Sequence, residues 1–301
     1  MEIRTTLAGA QLPESTAVAI GCFDGVHLAH RRILENVIRQ KKNGLRPAVF
    51  TFSDSTNKNV PQLVTTEDKL ALFKEMGIEL VYLLSFQAVK NYTAKQFVTE
   101  ILQKICGAKM VCCGYNFHFG KGGAGDTKLL YTLGESLGME VLVVPQLNLE
   151  LTPISSTRIR TLLEEGRVEM ASALLGRKFS FCFPVVHGRQ LGRQIGVPTI
   201  NQLLPENFLC PKRGVYVSTV EVAGKCYHGV TNIGVKPTVG GETNPSAETW
   251  ISDFSGDLYG KSIRVTLHHF LRAERKFPDL DSLRSQIEAD IIAAKHWSEY
   301  L

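Results

Sequence analysis

The chain has 301 residues, of which 44% are hydrophobic and 21% are charged, a composition typical of a globular protein long enough for two cores. No apolar stretch is long enough to span a bilayer and the N-terminus lacks the apolar segment of a signal peptide, so we expect a cytoplasmic protein that binds no membrane. The net charge of +5 is dispersed along the chain, which argues against nucleic acid as a partner. The seven cysteines include no C-x-x-C pair, which argues against a disulfide framework and a zinc site.

The first half of the chain alternates strand-like and helix-like segments. Such alternation predicts a doubly wound parallel sheet with crossover helices, whose ligands bind beyond the carboxyl ends of the strands. The predicted strands cover residues 17–22, 47–52, 79–84, 109–114 and 140–145, and the predicted helices cover residues 29–41, 67–76, 94–105 and 126–137.

Two histidines lie where the first predicted strand becomes a helix, in a segment that we call the histidine turn (residues 21–30). Its glycines allow a tight turn, and His27 and His30 are three residues apart, so they share one face of the helix start. The first helical turn also offers unpaired N–H groups with a partial positive charge, which suits a triphosphate. The same spacing occurs in ordinary surface pairs and in metal half-sites.

The fourth predicted strand is followed by an aromatic loop (residues 114–126) that is rich in glycine, aromatic rings and hydrogen-bonding groups. Such a loop can enclose a flat ring. Its rings can equally serve to anchor a long connection to the sheet.

Three consecutive hydroxyl residues, followed by two arginines and a helical run, form the hydroxyl segment (residues 154–160). Ser155 or Ser156 would cap the helix. The same arrangement also presents hydroxyls, free N–H groups and a guanidinium to phosphate oxygens. Together with the histidine turn, this segment resembles the phosphate loops of nucleotidyltransferases related to class I tRNA synthetases.

After Gly176 the pattern changes to short β-rich runs separated by Gly, Pro and Asn. This predicts a small β-barrel closed by a C-terminal helix, and hence two domains, residues 1–175 and 176–301. The predicted strands are residues 179–187, 214–222, 226–233, 247–252 and 262–270, and the helix is residues 281–296.

Three evenly spaced glycines lead into a Pro-Thr-x-Asn sequence in the glycine loop (residues 188–201). Backbone N–H groups at such glycines can close around phosphates, while Thr199 and Asn201 offer neutral oxygens of the kind that a Mg²⁺–phosphate complex accepts. A glycine-rich turn of the barrel is the alternative interpretation.

Glu248 lies in a predicted strand that is otherwise half buried. A partly buried carboxylate is a candidate base for a substrate hydroxyl, although a glutamate on the solvated face of a strand is more common.

These segments together resemble the prokaryotic bifunctional riboflavin kinase/FMN adenylyltransferases, also called FAD synthetases. The resemblance covers nearly the whole chain, and implies a Rossmann-like nucleotidyltransferase domain with a parallel sheet, followed by a small β-barrel riboflavin kinase domain with a terminal helix. The matching segments are residues 21–30, 114–120, 154–160, 174–177, 188–201, 232–238 and 248–260.

The resemblance implies two ATP-dependent, Mg²⁺-requiring steps, from riboflavin to FMN and from FMN to FAD, and implies flavin-requiring apoproteins as transient partners. It makes His27 and His30 the catalytic residues of adenylyl transfer and Glu248 the base of the kinase. ATP and its phosphates would be bound by Gly21, Phe23, Asp24, Ser155, Ser156, Thr157, Arg160, Gly188, Gly192, Gly196, Thr199 and Asn201. The flavin would be bound by Asn116, Phe117, Asn232, Lys236, Pro237 and Thr238, and Mg²⁺ by Thr199 and Asn201.

The sequence departs from the family pattern at three places. Ala29 replaces the glycine between the two histidines, residues 51–56 replace a Pro-His-Pro, and Phe183 replaces a glycine of the first barrel strand. One alternative is therefore a riboflavin kinase whose N-terminal half no longer adenylylates. Another is a regulator that binds flavin without turnover.

Overall fold

A computed structural model of the chain describes residues 1–7, 14–54, 60–188, 192, 196–237 and 243–298, with the backbone alone at 236, 237, 243, 244 and 298. Its contacts divide the chain into two compact units, Met1–Ser156 and Thr157–Leu301. The sequence predicts a division after residue 175, where the pattern changes from alternating strands and helices to short strands. The contacts place the division earlier, because the helices just before residue 175 pack with the second unit. The domain boundary at residue 176 therefore stays a prediction.

The first unit contains a six-stranded sheet in which every neighbouring pair is parallel. Strand β2 is central, and its residues Ala17, Val18 and Ala19 are fully buried because helices cover both faces. The predicted parallel sheet is confirmed, with one three-residue edge strand, β1, that the pattern does not predict. In chain order the strands are β1 (Glu2–Arg4), β2 (Thr16–Ile20), β3 (Arg46–Phe52), β4 (Leu80–Leu84), β5 (Ala108–Gly114) and β6 (Glu140–Val144), and their order across the sheet is β1-β4-β3-β2-β5-β6.

Local signals set the ends of the crossover helices. Thr65 caps the second helix by accepting the N–H of Asp68 at 3.1 Å, and Gly77 ends it in the left-handed conformation that favours glycine. The helices are α1 (Leu28–Arg39), α2 (Thr66–Met76), α3 (Ala94–Gln96), which continues into a π-helix (Phe97–Ile105), and α4 (Thr127–Ser136). Short 3₁₀ turns cover Gln40–Asn43, Phe86–Ala88 and Lys121–Gly123, and a small hairpin is formed by β7 (Asn148–Leu149) and β8 (Thr152–Pro153).

The second unit is a closed antiparallel barrel with helices packed on it. Helices α5 (Ser156–Glu164) and α6 (Val168–Leu175) precede the barrel, and α6 contacts β9 and β14, which is why this stretch groups with the barrel. The predicted barrel and terminal helix are confirmed. The strands are β9 (Phe179–Val186), β10 (Thr199–Leu203), β11 (Gly214–Val222), β12 (Lys225–Pro237), β13 (Thr243–Ile251) and β14 (Ser262–Ala273), and the last helix is α7 (Leu280–Ser298).

Alternation along the strands separates the two faces of the barrel. Phe183 is buried and its ring meets Phe208 edge-on at 5.1 Å, so the side chain that replaces the family's glycine is part of a packed aromatic cluster. The outer face carries Val215 and Val230, which pack against α7. The terminal helix thus covers one outer face of the barrel and leaves a groove beside it.

Candidate active sites

The histidine turn follows β2 and has an unusual backbone. Phe23 and Val26 have φ angles of 51° and 42°, in the left-handed region that non-glycine residues rarely adopt. The ring of Phe23 is 1% exposed and packs edge-on against His30 at 5.3 Å and Phe73 at 5.8 Å. The burial of this ring stabilises the conformation of the turn, so Phe23 supports the backbone of the predicted phosphate site.

His27 and His30 lie together at the start of α1. The rings stack with centroids 3.5 Å apart and an interplanar angle of 16°. His27 is the N-cap residue, and its Nδ1 accepts the backbone N–H of His30 at 3.3 Å. This bond leaves the proton of a neutral His27 on Nε2. The structure therefore brings the predicted pair together as a stacked unit.

The electrostatic environment keeps His30 neutral. Burial lowers the pKa of His30 well below 6.5, and the neighbouring His27 and Lys69 add to that shift. Its Nδ1 is a buried atom without a hydrogen-bond partner among the described residues. At neutral pH the His30 ring thus retains one N–H donor and one acceptor nitrogen.

Three hydrogen bonds hold the histidine turn from separate parts of the chain. Thr51 Oγ1 donates to the Cys22 carbonyl at 3.0 Å, and the N–H of Leu63 donates to Asp24 Oδ1 at 2.9 Å. Ser156 Oγ donates to the Asp24 carbonyl at 2.8 Å. The hydroxyl proton of Ser156 therefore positions the turn, and the side chain of Asp24 anchors a neighbouring loop.

The remaining predicted residues of the hydroxyl segment lie around the start of α5. Ser155 precedes this helix, and Thr157 and Arg160 lie in its first turns. Thr157 is exposed, while Ser155 and Arg160 are half buried. Their part in binding phosphate stays a proposal.

The aromatic loop follows β5. Phe117 is half buried and stacks on the buried ring of Phe119 with centroids 5.7 Å apart. Asn116 is exposed, and its carbonyl lies 3.0 Å from Nδ1 of His118. The two phenylalanine rings anchor the loop, and Asn116 remains at the surface beyond the strand end.

Sequence reasoning missed Lys69, which lies near the histidine pair. Its side chain on α2 is 7% exposed, and Nζ donates to the carbonyl of Phe52 at 2.8 Å. Burial lowers the pKa of Lys69, and the Asp24 carboxylate opposes that shift. The sequence does contain a signal that Lys69 is buried, because Lys69 shares a helix face with the buried Phe73 four residues later.

The second site is a row of polar residues across three barrel strands. Asn201 of β10 lies directly opposite Glu248 of β13, and Glu248 lies directly opposite Asn232 of β12. Directly opposed residues project from the same face of a sheet. We call these three the Glu248 row. All three side chains are half buried.

The Glu248 row lines a cavity of about 240 Å³ on the outer face of the barrel. Thr199, two residues before Asn201 on β10, lines the same cavity. Apolar side chains next to the row form a surface that suits a flat, largely apolar ring, and we call it the apolar wall. It consists of Val215, Val230 and Trp250 from the strands, Phe277, and Leu283 and Ile287 from α7, and the charged residues Arg272, Glu274, Arg275 and Asp290 also line the cavity.

An ion pair fastens α7 beside this cavity. Arg272 of β14 donates to both carboxylate oxygens of Asp290, with Nε–Oδ1 and Nη2–Oδ2 distances of 2.9 and 2.6 Å. Gln286 also donates to Asp290, at 2.7 Å. Because the Asp290 side chain is only 7% exposed, this largely buried ion pair attaches α7 to the barrel next to the apolar wall.

Sequence reasoning missed Trp250 and Arg272 as residues of this site, because neither belongs to a local motif.

Close approaches explain the spacing of the glycines before β10. A Cβ at Gly188 would lie 2.5 Å from Nδ2 of Asn201, and one at Gly192 would lie 2.4 Å from the carbonyl oxygen of Val197. Gly196 has a φ of 81°, which also favours glycine. Gly192 itself lines the cavity. The glycine loop is therefore closely packed against Thr199 and Asn201 where it is described.

Two of the predicted flavin-binding residues, Lys236 and Pro237, lie at the end of β12. The backbones of Lys236 and Pro237 pair with β13. The side chains of these two residues, and all of Thr238, lie outside the described residues.

The donor atoms beside Glu248 fit a magnesium ion that arrives with ATP. Thr199 and Asn201 both line the cavity and offer neutral oxygens, and Asn201 lies directly opposite Glu248. Magnesium prefers oxygen ligands and usually keeps substrate phosphates and waters in its shell. Within the described ranges, no group of three or more His, Cys, Asp or Glu residues could hold a metal alone, so this fit depends on the phosphates.

Comparisons with known proteins match both units. A family model described as FAD synthetase matches residues 10–158, and one described as Riboflavin kinase matches residues 175–298. Within the described part of the chain, none of the helices combines the length and the apolar character needed to cross a membrane.

Several relatives are similar over nearly the whole chain. A bifunctional riboflavin kinase/FMN adenylyltransferase of Pseudomonas fluorescens is 35% identical and covers 92% of this chain and 91% of its own. Its counterpart in Escherichia coli (strain K12) is 35% identical over 94% of this chain and 93% of its own. A crystal structure described as a macrolide-efflux protein from Streptococcus pneumoniae is 29% identical, with a TM-score of 0.87 over 98% of both chains.

Proposed function

Because the chain belongs to the bifunctional riboflavin kinase/FMN adenylyltransferase family, we propose that the Glu248 row carries its kinase step and the histidine pair its adenylyl-transfer step. The enzyme phosphorylates riboflavin to FMN and adenylylates FMN to FAD, with ATP as co-substrate in both steps. The observation that carries the residue assignment is the placement of a half-buried carboxylate between two amide side chains beside an apolar wall.

In the kinase step, Glu248 accepts the proton of the ribityl 5′-hydroxyl as that oxygen attacks the γ-phosphorus of ATP. Asn232 on one side and Asn201 on the other orient the reacting groups, because they flank Glu248 in register. The apolar wall with Trp250 takes the flavin ring and excludes water. Lys236, Pro237 and Thr238 complete the flavin site in this proposal.

Thr199 and Asn201 would hold the Mg²⁺–ATP complex, and the N–H groups of Gly188, Gly192 and Gly196 would bind its phosphates. When bound, the ion neutralises charge on the transferred phosphoryl group. The side-chain oxygens of these two residues fix where the γ-phosphate lies relative to Glu248.

In the adenylyl-transfer step, the FMN phosphate is already a nucleophile and needs no base. His27 and His30 stabilise the charge that develops at the α-phosphorus, and Gly21, Phe23 and Asp24 of the histidine turn form the rest of the site for ATP and its phosphates. The departing pyrophosphate is held by the hydroxyl segment, and the flavin by the aromatic loop. The pyrophosphate ligands are Ser155, Thr157 and Arg160 together with Ser156, which acts through its backbone N–H because its hydroxyl donates to Asp24, and the flavin ligands are Asn116 and Phe117.

FMN and FAD leave these sites as products, and flavin-requiring apoproteins are their proposed acceptors and transient partners.

The direct test incubates the purified full chain with riboflavin and ATP, with and without Mg²⁺, and separates the flavins chromatographically. We expect FMN followed by FAD when Mg²⁺ is present, and neither product when EDTA removes it. FMN alone would identify a riboflavin kinase with an inactive N-terminal half. Binding without any consumption of ATP would identify a flavin-binding regulator.

Replacing Ala29 with glycine is expected to lower the KM for ATP in FAD formation and to leave FMN formation unchanged. Ala29 is half buried in the first turn of α1, between the two histidines, and its methyl group limits how closely a nucleotide can approach the backbone. Because glycine costs a helix up to about 1 kcal/mol, the melting temperature is measured alongside. An unchanged KM would show that the backbone already accommodates the methyl group.

A further inference from the structure

Lys69 is a buried cation that neither proposed step uses. Its side chain is 7% exposed, and its Nζ donates to the carbonyl of Phe52, the last residue of β3. Burying an ammonium group is unfavourable unless other groups compensate its charge. A lysine at this position therefore requires a compensating environment.

That environment is the histidine turn itself. The charged form of Lys69 is favoured by Asp24 and Cys22 of the turn and by Asp54 after β3. The positive charge of Lys69 also acts on His30 of α1. Burial, His27 and Lys69 together lower the pKa of His30. The titratable groups coupled to Lys69 and His30 thus come from the histidine turn, from α1 and from the residues after β3.

The end of β3 connects Lys69 to the backbone of the turn. Thr51 donates to the Cys22 carbonyl at 3.0 Å, and the next residue, Phe52, accepts from Lys69 at 2.8 Å. Two consecutive residues thus link α2 to the loop that carries the histidines. The turn contains left-handed φ angles at Phe23 and Val26, so its conformation depends on such external contacts.

From these contacts we infer that Lys69 is a positioning residue for adenylyl transfer, which fixes the end of β3 against the histidine turn and places a positive charge next to the turn. This inference rests on the proposed assignment of adenylyl transfer to His27 and His30. With Lys69 in place, His30 presents a neutral ring to the phosphates, and Lys69 supplies the positive charge.

The test replaces Lys69 with methionine, which keeps an unbranched side chain and removes the charge. In the full chain we expect FAD formation from FMN to fall by at least about tenfold, up to about 10²-fold, while FMN formation from riboflavin stays within a factor of two. NMR titration of the His30 ring should show a higher pKa than in the unchanged protein, because one of the three causes of its lowering is gone. The titration reports the charge of Lys69 at His30, and recovery of the FAD rate in Lys69→Arg, which keeps that charge, separates a role of the charge from packing alone.

The matched control is Lys74→Met, which removes an exposed lysine from the same helix and should change neither rate. Lys69→Arg retains the charge and should restore the low pKa of His30. Normal FAD formation or an unchanged His30 titration in a folded Lys69→Met variant would overturn the inference. If that variant does not fold, Lys69→Gln replaces it, and failure of both to fold would mean that Lys69 is structural only.

Failure of the proposed function is recognised separately. A folded variant with both histidines replaced that still forms FAD would refute the histidine assignment itself. Loss of FAD formation in that variant, together with normal FAD formation in Lys69→Met, would refute only the role of Lys69.

Discussion

Glu248→Gln is expected to slow FMN formation from riboflavin by about 10²- to 10⁴-fold, the usual contribution of a general base. A glutamine side chain keeps the shape and the carbonyl oxygen of Glu248 in its register between Asn201 and Asn232. It cannot accept a proton from the ribityl hydroxyl. The measurement is the initial rate at saturating riboflavin and Mg²⁺–ATP, with the loss expected in kcat.

Two controls isolate the base. The same variant should still convert added FMN to FAD at its normal rate, because that step needs no base. Glu221→Gln makes the identical substitution at an exposed position of β11 and should phosphorylate riboflavin normally. A Glu248→Gln variant with nearly normal kinase activity would show that Glu248 is structural.

The sequence predicts the sheet of the first unit well because its signals are local. Each strand is a short apolar run, and each crossover helix has apolar residues at helical spacing with recognisable ends, as at Thr65 and Gly77. The edge strand β1 has three residues, two of them exposed, and so carries no apolar pattern. The hairpin of β7 and β8 has two residues in each strand and is missed for the same reason.

The barrel is predicted less completely because its strands depend on distant partners. Strand β10 begins within the last three residues of the glycine loop and contains Asn201 and Gln202, so its sequence is typical of a turn. It becomes a strand because β13 pairs along its whole length. The Glu248 row arises from this register, which alternation alone does not specify.

The candidate sites show the same difference between contacts that local sequence predicts and contacts that depend on distant parts of the chain. His27 and His30 are neighbours on one helix turn, so their spacing predicts their contact. The buried position of Phe23 and the contact of Ser156 with Asp24, which joins residues 132 apart, depend on tertiary packing. Side-chain type and spacing therefore predict which residues belong to the site, whereas their individual contacts depend on the fold.

Replacing both histidines, as His27→Ala with His30→Ala, is expected to abolish measurable FAD formation and to leave FMN accumulating from riboflavin. Removal of one preorganised donor typically slows a reaction by about 10²- to 10³-fold, and here both stacked rings are lost. The measurement follows both flavins over time in the full chain with Mg²⁺–ATP. FMN synthesis should continue because the Glu248 row lies on the barrel.

Stability needs its own control, because His27 caps α1 and loss of a cap costs about 1 kcal/mol. His27→Asn with His30→Ala retains an N-cap acceptor and should lose FAD formation equally. Arg32→Ala with Glu35→Ala changes two exposed residues of α1 at the same spacing, whose ion pair spans 3.7 Å, and should leave both activities intact. Loss of FMN synthesis in a folded double-histidine variant would mean that the two activities are coupled and that the assignment of one site to each step is wrong.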